Sequence, residues 1–322
     1  MPSGQLVSVV TPSFNQAQFL EETLRSVYLQ NYRPIEHIVL DGGSKDGSVE
    51  ILKRCEREFQ GPGYSLTWVS EPDKGFADAV GKGFARARGE IIGWLNSDDV
   101  YFDRFVVETG VKALREHSGV DVVFGDVALI SETGGLWMIW CFPSFQYKRA
   151  LRGYIVPQPT LFFRRQVAER HPISGLDAVG LDHAWYLEIG REHKFRHVGR
   201  VQAGDRDHGS RRTHTLPWEV QEAKLAATYG AGYVPASLDR LNDTITRLVM
   251  RLKGLARWAW LFSGTRVAES LAFSPWVDSP WRVFERQCTM RLGNRPDLGS
   301  RPVNVRWPRR LSFAPPQRES QP

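Results

Sequence analysis

Alternating strand and helix patterns over the first 125 residues constrain the fold more than any other feature of this chain. Short apolar runs are separated by stretches whose apolar residues recur every three or four positions, the spacing of an amphipathic helix. Strands joined by helices of about ten or more residues favour a mainly parallel sheet with right-handed crossovers. The predicted strands are residues 6–11, 36–40, 66–69, 91–95 and 120–124, and the predicted helices are residues 17–30, 49–59, 76–87 and 105–114.

The pattern loosens after residue 125 but continues to mix both element types. A hairpin is predicted across Thr133-Gly134-Gly135, because apolar runs flank this turn-forming sequence. We therefore expect an α/β protein with a Rossmann-like, mostly parallel sheet flanked by helices. The further predicted strands are residues 127–130, 136–142, 160–163 and 195–198, and the further predicted helices are residues 181–192, 218–229 and 238–262.

Charge divides the chain into two unlike parts. Residues 231–322 contain 15 Lys and Arg against 7 Asp and Glu, a net charge of +8, and residues 1–230 carry the remaining −2 of the overall +6. Five of the 11 tryptophans also lie in the last 92 residues. We predict an α/β catalytic domain over residues 1–230 and a basic, Trp-rich helical extension over residues 231–322, poorly ordered from about residue 290.

Several protein classes are excluded by what the sequence lacks. The three cysteines, Cys55, Cys141 and Cys288, are too far apart for a disulfide framework or a Cys-rich zinc module. No dinucleotide fingerprint or P-loop is present. Neither a secretory signal nor an apolar run of about 18 residues is found, so we expect a cytoplasmic protein without a membrane-spanning helix.

Polar clusters follow three of the predicted strands at residues 11–15, 41–44 and 96–99. In an open parallel sheet, ligands bind beyond the carboxyl ends of the strands, so the three clusters predict one site. The adjacent carboxylates of Asp98 and Asp99 repel each other and favour a hard divalent cation such as Mg²⁺ or Mn²⁺. The alternative is that one of them only caps a following turn.

Five segments resemble family 2 glycosyltransferases of the GT-A fold, in order and in approximate spacing. The resemblance covers roughly residues 5–215 and leaves out the basic extension. The segments are residues 7–15 (VSVVTPSFN), 41–48 (DGGSKDGS), 71–75 (EPDKG), 89–99 (GEIIGWLNSDD) and 156–165 (VPQPTLFFRR).

The resemblance implies an inverting transferase that uses a nucleotide-diphosphate sugar, UDP-linked, with Mn²⁺ or Mg²⁺. Phe14 would stack on the nucleobase, and Asp41 would accept a hydrogen bond from it. Gly42 stands where the family usually has a second Asp, and Gly81 where related sequences often carry Asn. The implied donor-binding residues are Thr11, Pro12, Phe14, Asn15, Asp41, Lys74, Asn96, Asp98 and Arg211, and the implied metal ligands are Asp98, Asp99 and His208.

Asp182 is the candidate general base, because Gly180-Leu181-Asp182 resembles the late acidic motif of the family. A carboxylate within hydrogen-bond reach can remove the proton of the attacking acceptor hydroxyl. Asp182 could instead be a helix N-cap, and Asp177 competes for both roles.

Residues 205–212 follow the last predicted strand and resemble a family segment with an Arg, a spaced His and then Gly or Ser. The resemblance implies that His208 ligates the metal or donates to the diphosphate and that Arg211 neutralises the leaving phosphate. The alternative is a mobile basic surface loop. We expect His183 and His197 to be structural or surface residues.

The basic extension predicts a membrane contact. Leucines of residues 238–262 share one helical face, and arginines lie mostly on the other. With the nearby tryptophans, residues 236–285 would dock on an anionic surface, the inner face of the plasma membrane, near a glycan or lipid-linked acceptor. The same helix could instead pack its apolar face on the catalytic domain or on a second copy of the chain. Nucleic acid is not an expected partner.

Two other functions compete with glycosyl transfer. A nucleotidyltransferase would share the sheet and the metal, but it typically has a Gly-rich basic loop after the first strand, which residues 11–15 lack. A non-catalytic sugar- or lipid-binding module would not need Asp41, Asp98, Asp99 and Asp182 together.

Overall fold

A curled sheet forms the centre of the computed structural model, which describes residues 4–154, 156–173, 176, 180–211, 225–230 and 237–263. Within these residues the sheet has nine strands in the order β3-β2-β1-β4-β8-β6-β9-β5, and β7 pairs with β6. The strands are β1 (Val7–Ser13), β2 (Ile35–Asp41), β3 (Tyr64–Ser70), β4 (Ile91–Trp94), β5 (Val100–Tyr101), β6 (Val122–Ser131), β7 (Leu136–Trp140), β8 (Phe162–Arg164) and β9 (Phe195–Asp207).

Helices cover both faces of this sheet and bury one apolar cluster on each. Helices α1, α2 and α4 pack on one face, and α3, α6 and α7 pack on the other. The helices are α1 (Leu20–Tyr28), α2 (Ser48–Glu58), α3 (Phe76–Arg86), α4 (Val106–Glu116), α5 (Tyr147–Ala150), α6 (Arg165–Arg170), α7 (Leu181–Ile189) and α8 (Ser237–Ser263).

Strands β1 to β4 are parallel to one another, as the sequence predicts. Ser13, Asp41 and Ser70 are register partners at the carboxyl ends of β1, β2 and β3. The predicted α/β fold with its mainly parallel sheet is therefore confirmed. The other half of the sheet is mixed: β6 and β9 are parallel, whereas β8 is antiparallel to both of its neighbours.

Two strands are longer than the sequence predicts. β6 is continuous over Val122–Ser131 where two shorter strands were expected, with register shifts near Phe124 and Asp126. β9 continues from Phe195 to Asp207 instead of ending at residue 198. The alternative of a mobile surface loop is therefore wrong for residues 205–207, because they pair with β6 inside the sheet.

The long helix α8 lies against β7 through its polar side. Asp243 accepts hydrogen bonds from the Arg152 guanidinium at 2.7 and 3.0 Å, and its carbonyl accepts one from the Tyr154 hydroxyl. Arg257 pairs with the buried Asp126. A Cβ added at Gly254 would lie 2.3 Å from the Ile139 carbonyl oxygen, so only glycine allows this approach.

The apolar stripe of α8 consequently faces away from the sheet. This stripe consists of Leu241, Ile245, Leu248, Val249 and Leu252, each between 40% and 57% exposed. Helix α8 does pack on the earlier part of the chain, but through its polar face, so the alternative in which its apolar face packs on that part is wrong. The described helices include none that is long and apolar enough to cross a membrane. The predicted helix over residues 218–229 and the predicted border at residue 230 fall largely outside the described residues, so both stay predictions.

Candidate functional site

Polar side chains gather at the carboxyl ends of β1, β2 and β4 and are joined there by the end of β9. The turn Asn96-Ser97-Asp98-Asp99 begins two residues after the end of β4, and α1 holds it in place. The buried Thr23 hydroxyl of α1 donates hydrogen bonds to the carbonyls of Ser97 and Asp99, at 2.9 and 2.7 Å. The acidic pair therefore lies on a fixed turn.

Phe14 and Asn15 form an exposed corner after β1. The Phe14 ring is 60% exposed, which is unusual for an aromatic side chain at the end of a buried strand. Asn15 adopts a left-handed backbone conformation with φ 53°. Its side-chain oxygen accepts a hydrogen bond from the Lys45 backbone N–H, which ties this corner to the loop after β2.

Asp41 is buried and already holds that loop. Its carboxylate accepts hydrogen bonds from the backbone N–H groups of Gly43 and Ser44 and from the hydroxyls of Ser44 and Ser70. Three of these hydrogen bonds end on Oδ2, and only the Ser44 hydroxyl bonds Oδ1, so Oδ1 keeps an acceptor position. Contact of Asp41 with the nucleobase stays a prediction.

The glycine at position 42 has a structural reason. A Cβ there would lie 2.8 Å from an Asp73 carboxylate oxygen and 3.2 Å from the Phe14 ring. Asp73 thus occupies the space that a side chain at position 42 would need, next to the exposed aromatic ring. Its other carboxylate oxygen accepts the Gly75 backbone N–H at 2.7 Å.

The remaining predicted donor residues of β1 and of the loop before α3 differ in accessibility. Thr11 and Pro12 are buried in β1, and the Thr11 hydroxyl lies 3.0 Å from Nε2 of His37 in the core. This placement gives the Thr11 side chain no access to a ligand. Lys74 is exposed in the loop that also carries Asp73, so its side chain is accessible to a ligand.

Asp98 and His208 meet across the site although 110 positions separate them. His208 Nε2 lies 3.0 Å from an Asp98 carboxylate oxygen, and its Nδ1 lies 2.9 Å from the Ser210 hydroxyl. The imidazole is buried against the ring of Phe19, the residue just before α1, with 4.6 Å between ring centroids. The structure therefore places His208 beside the acidic pair, and its role as a metal ligand stays a prediction.

Negative charge accumulates around Asp99. Burial, and then the nearby charges of Asp98 and Asp205, raise the pKa of Asp99 well above that of an ordinary carboxyl group. Burial also raises the pKa of Asp205, against the opposing effect of Arg211. Such a cluster favours either a proton or a bound cation.

Arg211 adds a positive charge beside this cluster. Its guanidinium forms an ion pair with Asp205 at 2.6 Å. Burial by itself lowers the pKa of Arg211, but the carboxylates of Asp205 and Asp99 outweigh this effect and raise it. The structure therefore brings Arg211 to the acidic cluster, as the sequence predicts.

Arg206 is a buried organiser that the sequence patterns did not identify. Its backbone N–H donates to Asp99 Oδ1 at 3.0 Å, and its Nε donates to the Asp98 carbonyl at 2.8 Å. Its Nη2 pairs with Glu22 of α1 at 2.6 Å. Its side chain is 1% exposed, so it positions the acidic turn and cannot reach a ligand.

Gln158 is a second residue that sequence reasoning left unassigned. Its side-chain oxygen accepts a hydrogen bond from Asn96 Nδ2 at 2.8 Å, and its amide donates to the Trp94 carbonyl. Asn96 also accepts the Trp94 indole N–H. Gln158 therefore fixes the orientation of Asn96, a predicted donor-binding residue. The sequence signal that could have identified Gln158 is its place in the segment VPQPT at residues 156–160.

A shared metal site for all three predicted ligands is not preformed. Among the residues that the structure describes, Asp98, Asp99 and His208 do not place three ligand atoms within 4.8 Å of one another. Mg²⁺ and Mn²⁺ are usually held by one or two carboxylates together with the phosphates of a ligand. The present arrangement fits that mode, and the metal assignment stays a prediction.

Asp182 lies in the first turn of α7, whose N-cap is Gly180 with φ 63°. The alternative that Asp182 is the N-cap is therefore wrong. Asp182 makes no side-chain hydrogen bond to another described residue, and Asp177 lies outside those residues. Helix α7 packs against the end of β4, where the rings of Trp185 and Trp94 lie 6.3 Å apart.

The two histidines that we expected to be structural are both hydrogen-bonded inside the protein. His183 bonds the Ala150 carbonyl, and His197 bonds the Asp126 carboxylate.

Comparison with known proteins identifies the family of this chain. The family model described as glycosyl transferase family 2 matches residues 8–170. The chain belongs to this family. An uncharacterized glycosyltransferase of Mycobacterium tuberculosis strain H37Rv is 43% identical over 126 residues, which are 39% of this chain and 46% of that protein. The glycosyltransferase GlyG of Streptococcus pneumoniae serotype 4 is 32% identical over 132 residues, 41% of this chain and 42% of that protein.

Solved structures place this family 2 chain in the GT-A fold. TarS 1-349 of S. aureus in complex with UDP-GlcNAc has a TM-score of 0.51 at 15% identity and covers 69% of this chain and 65% of its own. The mannosyltransferase PcManGT of Pyrobaculum calidifontis in complex with GDP-Man and Mn²⁺ has a TM-score of 0.51 at 21% identity, covering 71% and 64%. Thus the chain's match spans less than half of the sequence relatives above and about two thirds of these structures.

Proposed function

We propose that this protein transfers a sugar from a nucleotide-diphosphate donor, UDP-linked, to a glycan or lipid-linked acceptor with inversion at the anomeric carbon. The observation that carries the proposal is the acidic cluster of Asp98, Asp99 and Asp205, which lies with Arg211 and His208 on the edge that also carries the exposed Phe14. A flat aromatic ring and a charged cluster on one edge suit a ligand with a nucleobase at one end and a diphosphate at the other.

The donor set suits a hard divalent ion. Two buried carboxylates with raised pKa values are relieved of repulsion by a cation, and carboxylate oxygens are ligands that Mg²⁺ and Mn²⁺ prefer. Asp99, with Asp98 or His208, would hold it. When bound, the ion supplies positive charge against the diphosphate oxygens.

The residues of the chain divide the remaining work. The acceptor hydroxyl attacks the anomeric carbon, the bond from that carbon to the phosphate oxygen breaks, and the nucleoside diphosphate leaves with the bonding electrons. Asp182 removes the hydroxyl proton. Arg211 can turn from Asp205 to the departing diphosphate, whose charge it balances, and Phe14 orients the base.

The structural relatives support the donor class. TarS was solved with UDP-GlcNAc, and PcManGT with GDP-Man and Mn²⁺. Both ligands are nucleotide-diphosphate sugars, so the same class is the first to try here. Neither relative identifies the sugar or the acceptor of this protein.

A panel of UDP-, GDP- and dTDP-sugars with Mn²⁺ tests the proposal. We expect slow release of UDP from one UDP-sugar, because many transferases hydrolyse their donor when no acceptor is present. Release of GDP or dTDP would overturn the UDP assignment. Release of inorganic pyrophosphate from a nucleoside triphosphate and sugar phosphate would indicate a nucleotidyltransferase, and no binding or turnover of any donor would indicate a non-catalytic module.

We further propose that α8 docks the enzyme on an anionic bilayer. Its apolar stripe is exposed, and the exposed cations Arg251 and Lys253 flank the stripe on its two sides. Side chains of this kind bind membranes together: the leucines enter the interface and the cations pair with anionic headgroups. The net charge of +8 over residues 231–322 favours a lipid surface over a neutral protein partner. Such docking would place the enzyme peripherally on the inner face of the plasma membrane.

Sedimentation with vesicles containing phosphatidylglycerol tests this docking. We expect the wild-type protein to pellet at low salt and the double substitution Leu248→Glu/Leu252→Glu to pellet more than tenfold less, since two half-exposed leucines would no longer be buried. The control is Leu29→Glu, a comparable exposed position that directly follows α1. The membrane proposal fails if the wild-type protein stays in the supernatant, or if Leu29→Glu reduces pelleting as much as the double substitution does. A dimer that only the double substitution dissociates would assign the stripe to a second copy.

A further inference from the structure

A cluster of three metal-ligating side chains lies far from the candidate donor site. Among the described residues, only His171, Glu192 and His193 bring at least three ligand atoms of His, Cys, Asp or Glu within 4.8 Å of one another. His171 directly follows α6, and Glu192 and His193 lie in the turn just after α7. The cluster therefore joins the ends of two helices.

Both imidazoles present an unused nitrogen to this cluster. Among the described residues, Nε2 of His193 and Nε2 of His171 are buried atoms without a hydrogen-bond partner. The His193 side chain is only 4% exposed. A buried ring nitrogen without a partner loses its hydrogen bond to water, so its presence in a polar cluster calls for a ligand.

The second nitrogen of His193 is held as in a metal site. Nδ1 of His193 lies 3.0 Å from Asp121 Oδ2, just before the start of β6. Histidine ligands usually bond a carboxylate through the nitrogen that does not face the metal, which fixes the ring and its tautomer. Asp121 therefore fixes the ring of His193 and leaves Nε2 as the nitrogen for a ligand.

The spacing of the other two ligands suits a tetrahedral ion. His171 Nε2 lies 3.6 Å from Glu192 Oε2. Ligands about 2.0–2.2 Å from a tetrahedral Zn²⁺ are roughly 3.4 Å apart. The backbone of His171 is fixed on both sides, because its N–H bonds the Val167 carbonyl and its carbonyl accepts the Trp185 indole N–H.

We propose that His171, Glu192 and His193 bind Zn²⁺, with water as the fourth ligand. Two imidazoles and one carboxylate are a common zinc set. The ion would join the ends of α6 and α7 and, through Asp121, the start of β6. The donor site lies at the other end of β6, which spans about 30 Å over its ten residues, so the two sites are separate.

The guanidinium of Arg170 competes with Zn²⁺ for Glu192. Arg170, 63% exposed, forms an ion pair with Glu192 Oε2 at 2.9 Å and so competes for the same carboxylate. Removing this guanidinium should tighten zinc binding. A purely structural ion-pair network would show the opposite behaviour, because loss of Arg170 would only weaken it.

The test is a zinc titration of tag-free protein in the Asp99→Asn background, which removes the acidic pair as a competing site. We expect one Zn²⁺ per chain and a rise in melting temperature. His171→Gln and Glu192→Gln should each weaken binding at least tenfold, Asp121→Asn about 10–100-fold, and Arg170→Gln should strengthen it. His117→Gln, at a partly exposed histidine outside the cluster, is the control and should change nothing.

The variants at His171 and Glu192 can either support or exclude the zinc site. His193→Gln is secondary, since this buried histidine could be needed for folding, whereas the partly exposed His171 and Glu192 can be replaced with little risk. If the parent binds no Zn²⁺, or if His171→Gln and Glu192→Gln bind it as tightly as the parent, the site does not exist. Made in the wild-type chain instead, with Asp99 intact, His171→Gln and Glu192→Gln should keep wild-type transfer with Mn²⁺, so the result is independent of the proposed transfer reaction.

Discussion

Replacing Asp99 with asparagine is expected to abolish sugar transfer and to leave the protein at least as stable. The amide keeps an oxygen that can accept the Arg206 backbone N–H, which lies 3.0 Å from Asp99 Oδ1. It removes the charge that would hold the metal against the diphosphate. Loss of several kcal/mol of charge stabilisation corresponds to a rate decrease on the order of 10³-fold or more.

The stability half of this prediction follows from the sign of the pKa shift. Burial and the charges of Asp98 and Asp205 raise the folded-state pKa of Asp99. An acid with a raised folded pKa favours folding at low pH, and this contribution is lost as pH rises from its unfolded toward its folded pKa. A neutral amide escapes that loss, so without metal the melting temperature of Asp99→Asn at neutral pH should equal or exceed that of the wild type.

Asp103→Asn is the matched control for Asp99→Asn. Asp103 is also buried, but its carboxylate pairs with Arg200 at 3.0 Å and accepts the Phe105 backbone N–H, outside the acidic cluster. We expect this variant to retain transfer, because Asp103 lies outside the acidic cluster. Transfer by Asp99→Asn at a near wild-type rate with saturating Mn²⁺ would refute the metal assignment.

The parallel half of the sheet was predictable because its signals are local. Each buried strand is an apolar run, and each crossover helix repeats its apolar positions within about eleven residues. Parallel strands with short offsets bring their carboxyl ends together. The order of strands and polar clusters along the chain is therefore enough to predict that Phe14, Asp41 and Asp99 share one edge.

The extension of β9 could not be predicted in this way. Arg206 and its polar neighbours have the composition of a surface loop, and what buries them is long-range. The partners of Arg206 are Glu22 and the Asp98 carbonyl, 184 and 108 positions away. A charged residue inside a strand is stable only when such partners exist, and a local pattern does not contain them.

For helix α8, the sequence periodicity predicts the apolar stripe but not which face of the helix packs on the sheet. The apolar stripe is visible in the sequence as a repeat of three or four positions. Which face meets the sheet depends on Asp243, whose partners Arg149 and Arg152 lie more than 90 positions earlier. The usual rule that the apolar face packs inward is therefore overruled here by a buried ion-pair cluster.

The fine roles of site residues were also beyond the sequence. The position of Asp41 is the expected one, but its carboxylate is used by Gly43, Ser44 and Ser70. The same holds for Thr11, whose hydroxyl is bonded to a buried histidine. A motif locates a side chain, whereas the free lone pairs depend on the folded neighbours.

Replacing Asp182 with asparagine is expected to leave donor binding intact and to slow transfer by about 10²–10⁴-fold, the usual contribution of a general base. The side chain projects from the first turn of α7, and Gly180 is the N-cap, so the change removes no capping hydrogen bond. An acidic residue in a first turn adds only about 0.3–1 kcal/mol through the helix dipole, so we expect a small loss of stability.

Calorimetric titration with the UDP-sugar, followed by rate measurements at saturating donor, separates binding from proton removal. Glu188→Gln is the control, since it removes a carboxylate of similar exposure from the same helix, far from its first turn. We expect wild-type donor affinity in both variants and a reduced turnover number only in Asp182→Asn. If Asp182→Asn instead loses donor affinity and turnover in equal proportion, Asp182 shapes the donor site and the base must be another carboxylate. Unchanged turnover in Asp182→Asn would exclude it from proton transfer altogether.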